Sequence, residues 1–429
     1  MSTDPELKME DLKMSEVKVS VVMPVYNSMK YLDATLNDVV NQSLKDIEII
    51  CVDDGSTDGS AELLDEYAKK DARITVIHQH NQYAGVARNN GLAVAKGKYV
   101  IFWDADDNFE SETLMKMYEA AEKSEAEIVV CDADEYMEDT ETYSYPLYIK
   151  YHELPEARPF SRKDIGDKIF DFSGNVPWNK MYLKSFVKEH ELQFEATRQF
   201  NDMYFVMLAY YYANRIITVD EVLIHYRVFA DGGLTKTAST DPLSVYHSYQ
   251  ALQKVMQDEL EKDEDLKRAF QNKVLAGFMR IINLQTTYEG YDTVLSCIRN
   301  GALQEFGIDT MKKEDYFAEW MYEHVDAIQR MSTNDFLVWK LRVRYLENKN
   351  NKDKIIGLKV RRDQLKEERA ALRVRRDELK ARREELKEEL REKNQIIKEQ
   401  KAILESRPVR FALKTKQILT LNGRLHQKK

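Results

Sequence analysis

Residues 19–27 read VSVVMPVYN, residues 47–56 read IEIICVDDGS, and residues 99–107 read YVIFWDADD. Each stretch begins with a mostly apolar, β-branched run and ends in polar or acidic residues. Continuous apolar runs of this length are typical of strands that are buried on both faces. Because the polar residues follow the runs, we expect them to collect at the carboxyl ends of the strands, where open parallel sheets bind ligands.

Segments with helical spacing separate these runs over residues 17–134. The predicted strands are Val19–Val25, Ile47–Val52, Ile74–His78, Tyr99–Trp103 and Ile128–Asp132, and the predicted helices are Tyr31–Val40, Ala61–Lys70, Gly85–Lys96 and Glu112–Lys123. This alternation predicts a mostly parallel α/β sheet with helices on both faces. A helix is also expected at about 202–213, one strand or two short strands at 216–226, and helical structure over 243–345.

Composition and charge limit the class of protein. The chain has 429 residues, 43% of them hydrophobic, which is enough for two or three domains with a sizeable core. Residues 351–429 hold 25 Lys and Arg against 13 Asp and Glu, whereas the remainder is acidic, which argues against a nucleic-acid partner there. The cysteines Cys51, Cys131 and Cys297 are far apart and indicate reduced thiols in a cytoplasmic protein.

Changes in composition predict five segments. They are a polar N-terminal segment without the apolar run of a signal peptide (1–16), a catalytic domain (17–235), a helical domain (236–348), a charged heptad helix (349–405) and a basic amphipathic tail (406–429). Leucine recurs every seventh residue from Leu358 to Leu386, but the partner positions of a coiled coil are largely arginine. The helix is therefore either a weak coiled coil that joins copies of the chain or a single charged spacer. The tail either contacts the inner face of the plasma membrane or has no partner.

The acidic cluster Asp104-Ala105-Asp106-Asp107 directly follows a predicted strand. Carboxylates gathered at one strand end repel one another unless a cation lies among them. Asp104 and Asp106 should face the same side, and their oxygens suit Mg²⁺ or Mn²⁺ rather than zinc. Such an ion could neutralise charge on a departing diphosphate. The alternative for this cluster is an ordinary helix N-cap.

Two further motifs contain residues that could bind a ligand, Asp53 and Asp54 at a predicted strand end and Arg88 in a predicted helix. Asp53 and Asp54 could accept hydrogen bonds from a nucleobase or a ribose, and the alternative is a turn in which Thr57 or Asp58 caps the next helix. Arg88 suits a diphosphate contact, and the alternative is an ordinary arginine on a helix surface.

The segments VSVVMPVYN (19–27), EIICVDDGSTDGS (48–60) and AGVARNNGLAVAKGKYVIFWDADD (84–107), in this order and spacing, resemble family 2 glycosyltransferases with the GT-A fold. The resemblance is close over residues 17–133 and looser over 174–235. It implies a Rossmann-like, mostly parallel sheet, followed here by the helical region and the long charged helix. It also implies inverting, metal-dependent transfer of a sugar from a nucleotide-sugar, with a UDP-sugar as first candidate, to an acceptor hydroxyl.

The resemblance assigns donor-binding roles to matching positions. They are Pro24, Val25, Tyr26, Asp53, Asp54, Arg88, Asp104 and Arg227. The Tyr26 ring should lie against the base, and Asp54, with or without Asp53, should bind uracil or ribose. Arg227 precedes a loop at Gly232 that lies in the region closing over the donor in relatives.

The resemblance also assigns the metal and the catalytic base. Asp106 and Asp104 match the ligands of a Mn²⁺ or Mg²⁺ ion, with Asp107 as an alternative. The family base is an Asp that follows a Glu at the start of a helix, and Asp202 stands in that place, with Asn201 where Glu is usual. One carboxylate there could remove the proton from the attacking hydroxyl. The alternative for Asp202 is a first-turn acid that favours the helix dipole.

The acceptor side carries weaker signals. Trp178 lies in a segment that borders the acceptor in the family, where it could stack on a sugar ring or be a core aromatic. His225 could bind a metal, but a structural histidine with satisfied hydrogen bonds is favoured. The family link implies a cytoplasmic bacterial protein whose acceptor is a surface glycan or a lipid-linked glycan.

Three functions compete for this sequence. The first is the enzyme, and the second is a catalytically idle GT-A scaffold that assembles a polysaccharide-synthesis complex through its C-terminal helix. The third, a nucleotidyltransferase, would need a Gly- and Arg-rich loop after the first strand, where this chain has PVYNSMKYL (24–32). The expected carboxylates are all present, so the sequence favours the enzyme.

Overall fold

A computed structural model of the chain describes residues 17–146, 148–228 and 241–346, together with 375, 382–383, 386–391, 393–396, 398, 401 and 415–416. The chain divides into two units, Met1–Phe336 and Leu337–Lys429. The predicted N-terminal segment, the loop at Gly232, most of the heptad helix and nearly all of the basic tail lie outside the described residues. The predictions made for those segments therefore stay predictions.

A nine-stranded sheet forms the centre of the described part of the first unit. Its strands are β1 (Val19–Val25), β2 (Ile47–Asp53), β3 (Ile74–His78), β4 (Tyr99–Phe102), β5 (Asn108–Phe109), β6 (Ile128–Met137), β7 (Thr142–Ser144), β8 (Lys180–Leu183) and β9 (Ile216–Val228). They lie in the order β3-β2-β1-β4-β8-β6-β9-β5, and β7 pairs with β6. Strands β1 to β4 are parallel, as are β6 and β9, whereas β8 is antiparallel to both of its neighbours. The predicted mostly parallel α/β sheet of the GT-A class is confirmed.

Helices cover both faces of this sheet and continue beyond it. They are α1 (Met29–Val40), α2 (Ser60–Lys70), α3 (Tyr83–Val94), α4 (Thr113–Ser124), α5 (Arg162–Ile165), α6 (Lys184–Glu189), α7 (Asn201–Tyr212), α8 (Ser244–Leu260), α9 (Glu264–Leu284), α10 (Tyr288–Cys297), α11 (Leu303–Glu305) and α12 (Glu319–Arg330). The predicted helices between the first strands are confirmed to within about one turn. Residues 243–345 are mostly helical, with a break between α11 and α12. Over the described residues, no helix combines the length and the apolar character that crossing a membrane requires.

Alternate residues of β1 pack against different layers. Val21 and Met23 are fully buried in a core that also contains Leu36 of α1, so this side of the sheet is covered by α1. On the other side α3 lies unusually close to the sheet, because a Cβ atom on Gly91 would be 2.4 Å from Val22 Cγ1. Full burial of one apolar side chain such as Val21 or Met23 contributes about 1.5–3 kcal/mol to the stability of the fold. This packing fixes the start of α3 beside the carboxyl ends of β1 and β2.

Strand β8 was not predicted, and its first residue explains why. Lys180 is fully buried, and its Nζ donates hydrogen bonds to the carbonyls of Gly174 (2.8 Å) and Val176 (2.7 Å) and to Asn179 Oδ1 (2.7 Å). Burial lowers the pKa of Lys180 to about 7. A four-residue strand that begins with a buried lysine has no recognisable strand pattern.

Candidate active site

The carboxyl ends of β1, β2 and β4 meet at one edge of the sheet. Strand β1 pairs in parallel with β2 on one side and with β4 on the other. Just beyond β2, the Asp54 N–H donates to the Val25 carbonyl at 2.8 Å, and just beyond β4, the Trp103 N–H donates to the Val22 carbonyl at 3.1 Å. The polar segments that follow the three strands therefore begin side by side, as parallel strands require.

Three residues at the end of β1 differ in exposure. Tyr26 is 51% exposed, so its ring is available for stacking, and Pro24 is partly exposed. Val25 is fully buried in the core, so its side chain is not exposed at this edge of the sheet, and its predicted donor contact stays a prediction. Asn27 follows in the left-handed region, with φ +50°, and its Oδ1 accepts from the Thr57 N–H at 2.8 Å. This bond ties the loop after β1 to the loop after β2.

Asp53 is buried, and both of its carboxylate oxygens are engaged. Oδ1 accepts from the Ser56 N–H at 2.9 Å, and Oδ2 lies 2.9 Å from His78 Nδ1. The hydrogen bond to Asp53 raises the pKa of His78, because a carboxylate favours the imidazolium form. Capping of α2 does not account for Asp53, since it is Asp58 that accepts from the Ser60 N–H, at 3.0 Å. Asp53 thus holds the turn after β2.

Asp54 is the better placed of the two carboxylates to meet a ligand. It is 2% exposed, and its Oδ1 accepts from Gln79 Nε2 at 2.7 Å and from the Gln82 N–H at 2.8 Å. Both bonds reach the same oxygen of Asp54. They hold this carboxylate against the segment that directly precedes α3 in the sequence. The start of α3 and the end of β2 are therefore held together at the sheet edge.

The acidic cluster after β4 separates into an outer and an inner part. Ala105 is buried in the core, whereas Asp104 and Asp106 are partly exposed, as expected when alternate side chains lie on opposite sides. Asp107 is fully buried, and its Oδ1 accepts from the backbone N–H of Arg227 at 2.9 Å. Its Oδ2 has no hydrogen-bond partner within the described part of the chain. A buried carboxylate oxygen without a partner is costly, which marks this cluster as incomplete by itself.

Burial and mutual repulsion shift the pKa values in this cluster. Burial, with a smaller contribution from the Asp104 carboxylate, raises the pKa of Asp106 to about 7. Burial also raises the pKa of Asp107 well above its usual value, with a smaller effect of Asp106. Both shifts show that the cluster favours a proton or a cation.

The oxygen-only donor set of this cluster fits Mg²⁺ or Mn²⁺. Over the described ranges, no group of three or more His, Cys, Asp or Glu side chains is arranged to hold a metal ion. These ions, however, often take only one or two protein carboxylates and complete their shell with water and substrate phosphates. Asp106 and the unpartnered oxygen of Asp107 meet that requirement, and Asp104 lies beside them.

Arg227 lies against the acidic cluster. Its Nε donates to the Asp106 carbonyl at 2.9 Å, and one of its two terminal nitrogens donates to Asn108 Oδ1. The guanidinium lies 4.8 Å from the ring centre of Tyr31 and 5.3 Å from that of Tyr136. Two aromatic faces and two hydrogen bonds therefore hold a positive charge at this edge of the site.

His225 has the hydrogen bonds of a structural histidine. Its Nδ1 lies 2.6 Å from Asp134 Oδ1, and its Nε2 lies 3.1 Å from Glu110 Oε1. Both ring nitrogens are engaged, which agrees with the structural alternative rather than with a metal ligand.

Arg88 connects the acidic cluster to α7. It is 6% exposed, so the surface-arginine alternative is wrong. One terminal nitrogen donates to Asp104 Oδ1 at 2.6 Å and the other donates to Asn201 Oδ1 at 2.9 Å. Gly85, one turn earlier, allows this close approach, because a Cβ atom there would lie 2.1 Å from the Glu195 carbonyl oxygen. The sequence departure at Asn201 is thus a hydrogen-bond acceptor for Arg88.

Asp202 lies in the first turn of α7 and lines a cavity of about 410 Å³. The preceding Phe200 has φ +57°, a conformation that is rare for a bulky residue and recurs at functional sites. Burial raises the pKa of Asp202, and the nearby Arg88 and Arg280 partly oppose that rise. A carboxylate with a raised pKa is suited to act as a base. The same position favours the helix dipole, and the two roles are compatible.

Trp178 belongs to the core rather than to a surface that could bind a sugar. It is 3% exposed, and its ring stacks on Tyr226 with centroids 5.6 Å apart and planes 2° from parallel. Tyr148 meets it edge-on at 5.1 Å. This burial supports the core alternative, and we therefore leave Trp178 out of the acceptor site.

Sequence reasoning missed two contributions to this site. One is the pairing of Arg88 with Asn201, which the motif AGVARNNG could not reveal because its partner lies far away in the sequence. The other is the pair Lys273 and Arg280 of α9, which line the same cavity as Asp202. Their segment has only the spacing of an amphipathic helix, and no local motif distinguishes them from surface cations.

Comparison with known proteins gives consistent matches. Residues 20–191 match the family model described as Glycosyl transferase family 2. The chain is 34% identical over 219 residues to Glycosyltransferase GlyG of Streptococcus pneumoniae serotype 4 (strain ATCC BAA-334 / TIGR4), which covers 50% of this chain and 71% of that protein. It is 32% identical over 226 residues to Cholesterol galactosyltransferase of Borreliella burgdorferi (strain ATCC 35210 / DSM 4680 / CIP 102532 / B31), which covers 49% of this chain and 60% of that protein.

The matches cover parts of proteins rather than whole lengths. The chain spans 60% of the length of two further curated relatives, both from Bacillus subtilis (strain 168). Among solved structures, a crystal structure of S. aureus TarS 1-349 is similar with a TM-score of 0.45 and 21% identity, over 73% of this chain and 91% of that chain.

Proposed function

This chain belongs to glycosyl transferase family 2, and from that premise we propose that it transfers a sugar from a nucleotide-sugar to an acceptor hydroxyl, with inversion at the anomeric carbon. The observation that carries the proposal is the link from Asp104 through Arg88 to Asn201. It joins the acidic cluster to the helix that presents Asp202. A leaving group and a base that act on opposite faces of one sugar need a common rigid frame.

In this proposal the edge formed by β1, β2 and β4 binds the donor. Tyr26 stacks on the base with its exposed ring, and Asp54 accepts a hydrogen bond from the base or the ribose. Arg227 holds a positive charge beside the acidic cluster, where the diphosphate would lie. The family resemblance makes uridine diphosphate the first nucleotide to test.

Asp106 is proposed as the main ligand of a Mn²⁺ or Mg²⁺ ion. Asp104 is already paired with Arg88, and Asp107 lies behind Asp106 in the core, so these two carboxylates are supporting ligands. When bound, such an ion neutralises the charge that develops on the diphosphate leaving group. Arg88 holds the Asp104 carboxylate in place, and Arg227 restrains the backbone of the cluster.

Asp202 is proposed as the catalytic base. It would take the proton from the acceptor hydroxyl while that oxygen forms a bond to the anomeric carbon. The bond from that carbon to the diphosphate breaks on the opposite face, so the electron pair leaves with the diphosphate and the configuration inverts. A positioned base of this kind contributes about 10²–10⁴-fold to the rate.

The acceptor and the location of the protein follow from the family resemblance. We propose a surface glycan or a lipid-linked glycan as acceptor and the cytoplasm as location. Cholesterol galactosyltransferase of Borreliella burgdorferi, which is 32% identical to this chain, carries cholesterol in its name. Family membership alone therefore does not fix the acceptor.

The experiment that tests this function is a panel of nucleotide-sugars incubated with Mn²⁺ or Mg²⁺. The wild type should release nucleotide diphosphate from one donor, and Asp106→Ala should reduce that release to background. Asp139→Ala, which changes an exposed aspartate in the turn after β6, is the matched control and should behave as the wild type. If the wild type also failed to bind UDP in calorimetry with Mn²⁺ present, the idle-scaffold function would replace this proposal.

A further inference from the structure

The cavity beside Asp202 is partly lined by cations that have no ion pair within the described part of the chain. Lys273 and Arg280 of α9 and Arg198, which precedes α7, line it. Over the described ranges, none of these three cations forms an ion pair with a carboxylate within 4.0 Å. Asp202 is the single carboxylate among the described residues that line the cavity. The cavity thus carries a local excess of positive charge.

Arg198 and Arg280 are exposed and Lys273 is partly buried, but not every cation on α9 lacks an ion pair. Arg268, on the same helix α9, has an ion pair with Asp167 at 2.7 Å and another with Asp265 at 2.8 Å. Residues 1–350 carry more acidic than basic side chains, so carboxylate partners are abundant in this part of the chain. Within the described residues, Lys273 and Arg280 therefore differ from Arg268, which is ion-paired on the same helix.

The Arg280 side chain and the backbone of Lys273 each have a further contact near the cavity. The Arg280 guanidinium lies 5.4 Å from the ring centre of Phe200, the residue with the left-handed backbone before Asp202. Lys273 is partly buried, and the Tyr249 hydroxyl donates to its backbone carbonyl at 2.8 Å. Burial lowers the pKa of Lys273 to about 8, with the Asp171 charge opposing that shift and Arg280 contributing to it. An anion bound among these groups would offset that cost.

We propose that the acceptor carries a phosphate group close to the hydroxyl that receives the sugar, and that Arg198, Lys273 and Arg280 bind this phosphate. The inference rests on the proposed function, because it takes Asp202 to mark where the accepting hydroxyl lies. Arginine presents a planar fork and lysine a compact charge, and both are favoured partners of phosphate oxygens. A neutral acceptor would leave these three cations with Asp202 as the single anionic group among the described residues that line the cavity.

The test measures calorimetric binding to the protein saturated with UDP and Mn²⁺, using pairs of probes that differ only in phosphate. Glucose 6-phosphate against glucose represents a soluble acceptor, and farnesyl phosphate against farnesol in detergent micelles represents a lipid-borne one. We expect the phosphate member of at least one pair to bind about 10-fold or more tightly than its neutral partner, and more weakly as KCl is added. The pair with the larger difference identifies the source of the phosphate.

Variants locate the binding. Arg280→Gln and Lys273→Met should each weaken phosphate-probe binding by about 10- to 100-fold. Lys267→Met is the matched control, because this lysine is on the same helix, is exposed and pairs with Glu264 at 3.9 Å. Thermal unfolding of all three proteins shows whether each variant is folded.

Three results would overturn the inference. Equal binding of phosphate and neutral probes by a wild type that binds UDP removes the inference and leaves the proposed function intact. Loss of UDP affinity in Arg280→Gln or Lys273→Met, with probe binding unchanged, assigns the cations to the donor instead. Failure of the wild type to bind UDP with Mn²⁺ is a failure of the proposed function itself, and it removes the basis of the inference as well.

Discussion

The proposed donor side and the proposed acceptor side of the site differ in how the hydrogen-bonding and ion-pairing needs of their charged groups are met. On the donor side, Asp53 and Arg88 each have two partners, and Arg227 is held by hydrogen bonds and aromatic faces. On the acceptor side, Lys273 and Arg280 have no ion pair within the described residues. The fold therefore sets the donor side before any ligand arrives, whereas the acceptor side keeps charges that a ligand can satisfy. Paired groups are expected to matter for stability, and unpaired ones for binding.

The largest effect is expected at Asp202, which stands on the acceptor side. Asp202→Asn keeps the size of the side chain and removes the base, so kcat for sugar transfer should fall by about 10²–10⁴-fold. UDP binding should stay unchanged, because the donor edge does not include α7. Steady-state kinetics and calorimetry measure the two quantities.

Glu62→Gln is the control for the helix-dipole alternative. Glu62 is an exposed acid in the first turn of α2, so it shares the dipole effect and lacks the cavity. Its replacement should leave kcat unchanged and cost at most about 1 kcal/mol of stability. Equal losses of activity in the two variants would assign Asp202 to helix stability rather than to proton transfer.

The next largest effect is expected at Arg88, and it is measured as a loss of stability. Arg88→Met removes the link between the two sides and leaves the Asp104 carboxylate and the Asn201 amide without their partner. Because the Arg88 side chain is only 7% exposed, the free energy of unfolding should fall by about 3 kcal/mol. Urea unfolding measures this loss. Arg73→Met, which breaks an equally short but more exposed pair with Asp71, should cost about 1 kcal/mol or less.

The donor side could be predicted from the sequence because its residues follow strands that are themselves recognisable. An apolar run followed by a polar cluster places Asp54 and Asp104 at the same edge of the sheet before any coordinates are known. Exposure was harder to predict. Val25 and Trp178 matched family positions, but the strand period and aromatic stacking place both side chains in the core.

The acceptor side could not be predicted to the same depth, for a physical reason. Lys273 and Arg280 act through their position in the folded chain, and a helix sequence that buries one face shows charged residues on the other face whatever their role. Asn201 looked like a weakness of the catalytic motif. Only the contact with Arg88, which lies more than a hundred residues earlier, shows why an amide is suited to that position.

A smaller effect on stability is expected at Gly85, where α3 packs closely against the segment before α7. Gly85→Ala adds a Cβ atom that would lie 2.1 Å from the Glu195 carbonyl oxygen and 3.0 Å from Asn201 Cβ. The segment before α7 must move, so unfolding free energy should fall by about 1–3 kcal/mol. At Gly174 the nearest atom to an added Cβ, in the Tyr148 ring, is 3.8 Å away. Gly174→Ala should therefore be close to neutral in the same denaturation experiment, and equal losses in both variants would remove close packing as the cause.

The smallest effect is expected in the pH dependence of kcat/KM, through the charge of Arg280 near Asp202. Asp202 must be ionised to accept a proton, and burial raises its pKa, so kcat/KM for donor hydrolysis should fall as pH decreases through that raised value. Arg280 lowers the pKa of Asp202, because its positive charge favours the carboxylate. Arg280→Gln should therefore move the acid limb of the pH profile to higher pH, by less than about one pH unit for charges near a protein surface.

Lys267→Met, on the same helix and directed away from the cavity lining, should leave the acid limb in place. A shift of equal size in both variants would indicate a general change of charge rather than a contact with the base. An acid limb that moves to lower pH in Arg280→Gln would contradict the electrostatic argument itself, because removal of a nearby cation cannot stabilise a carboxylate. The sign of this shift therefore tests whether Arg280 and Asp202 share one cavity in solution, independently of which acceptor the protein uses.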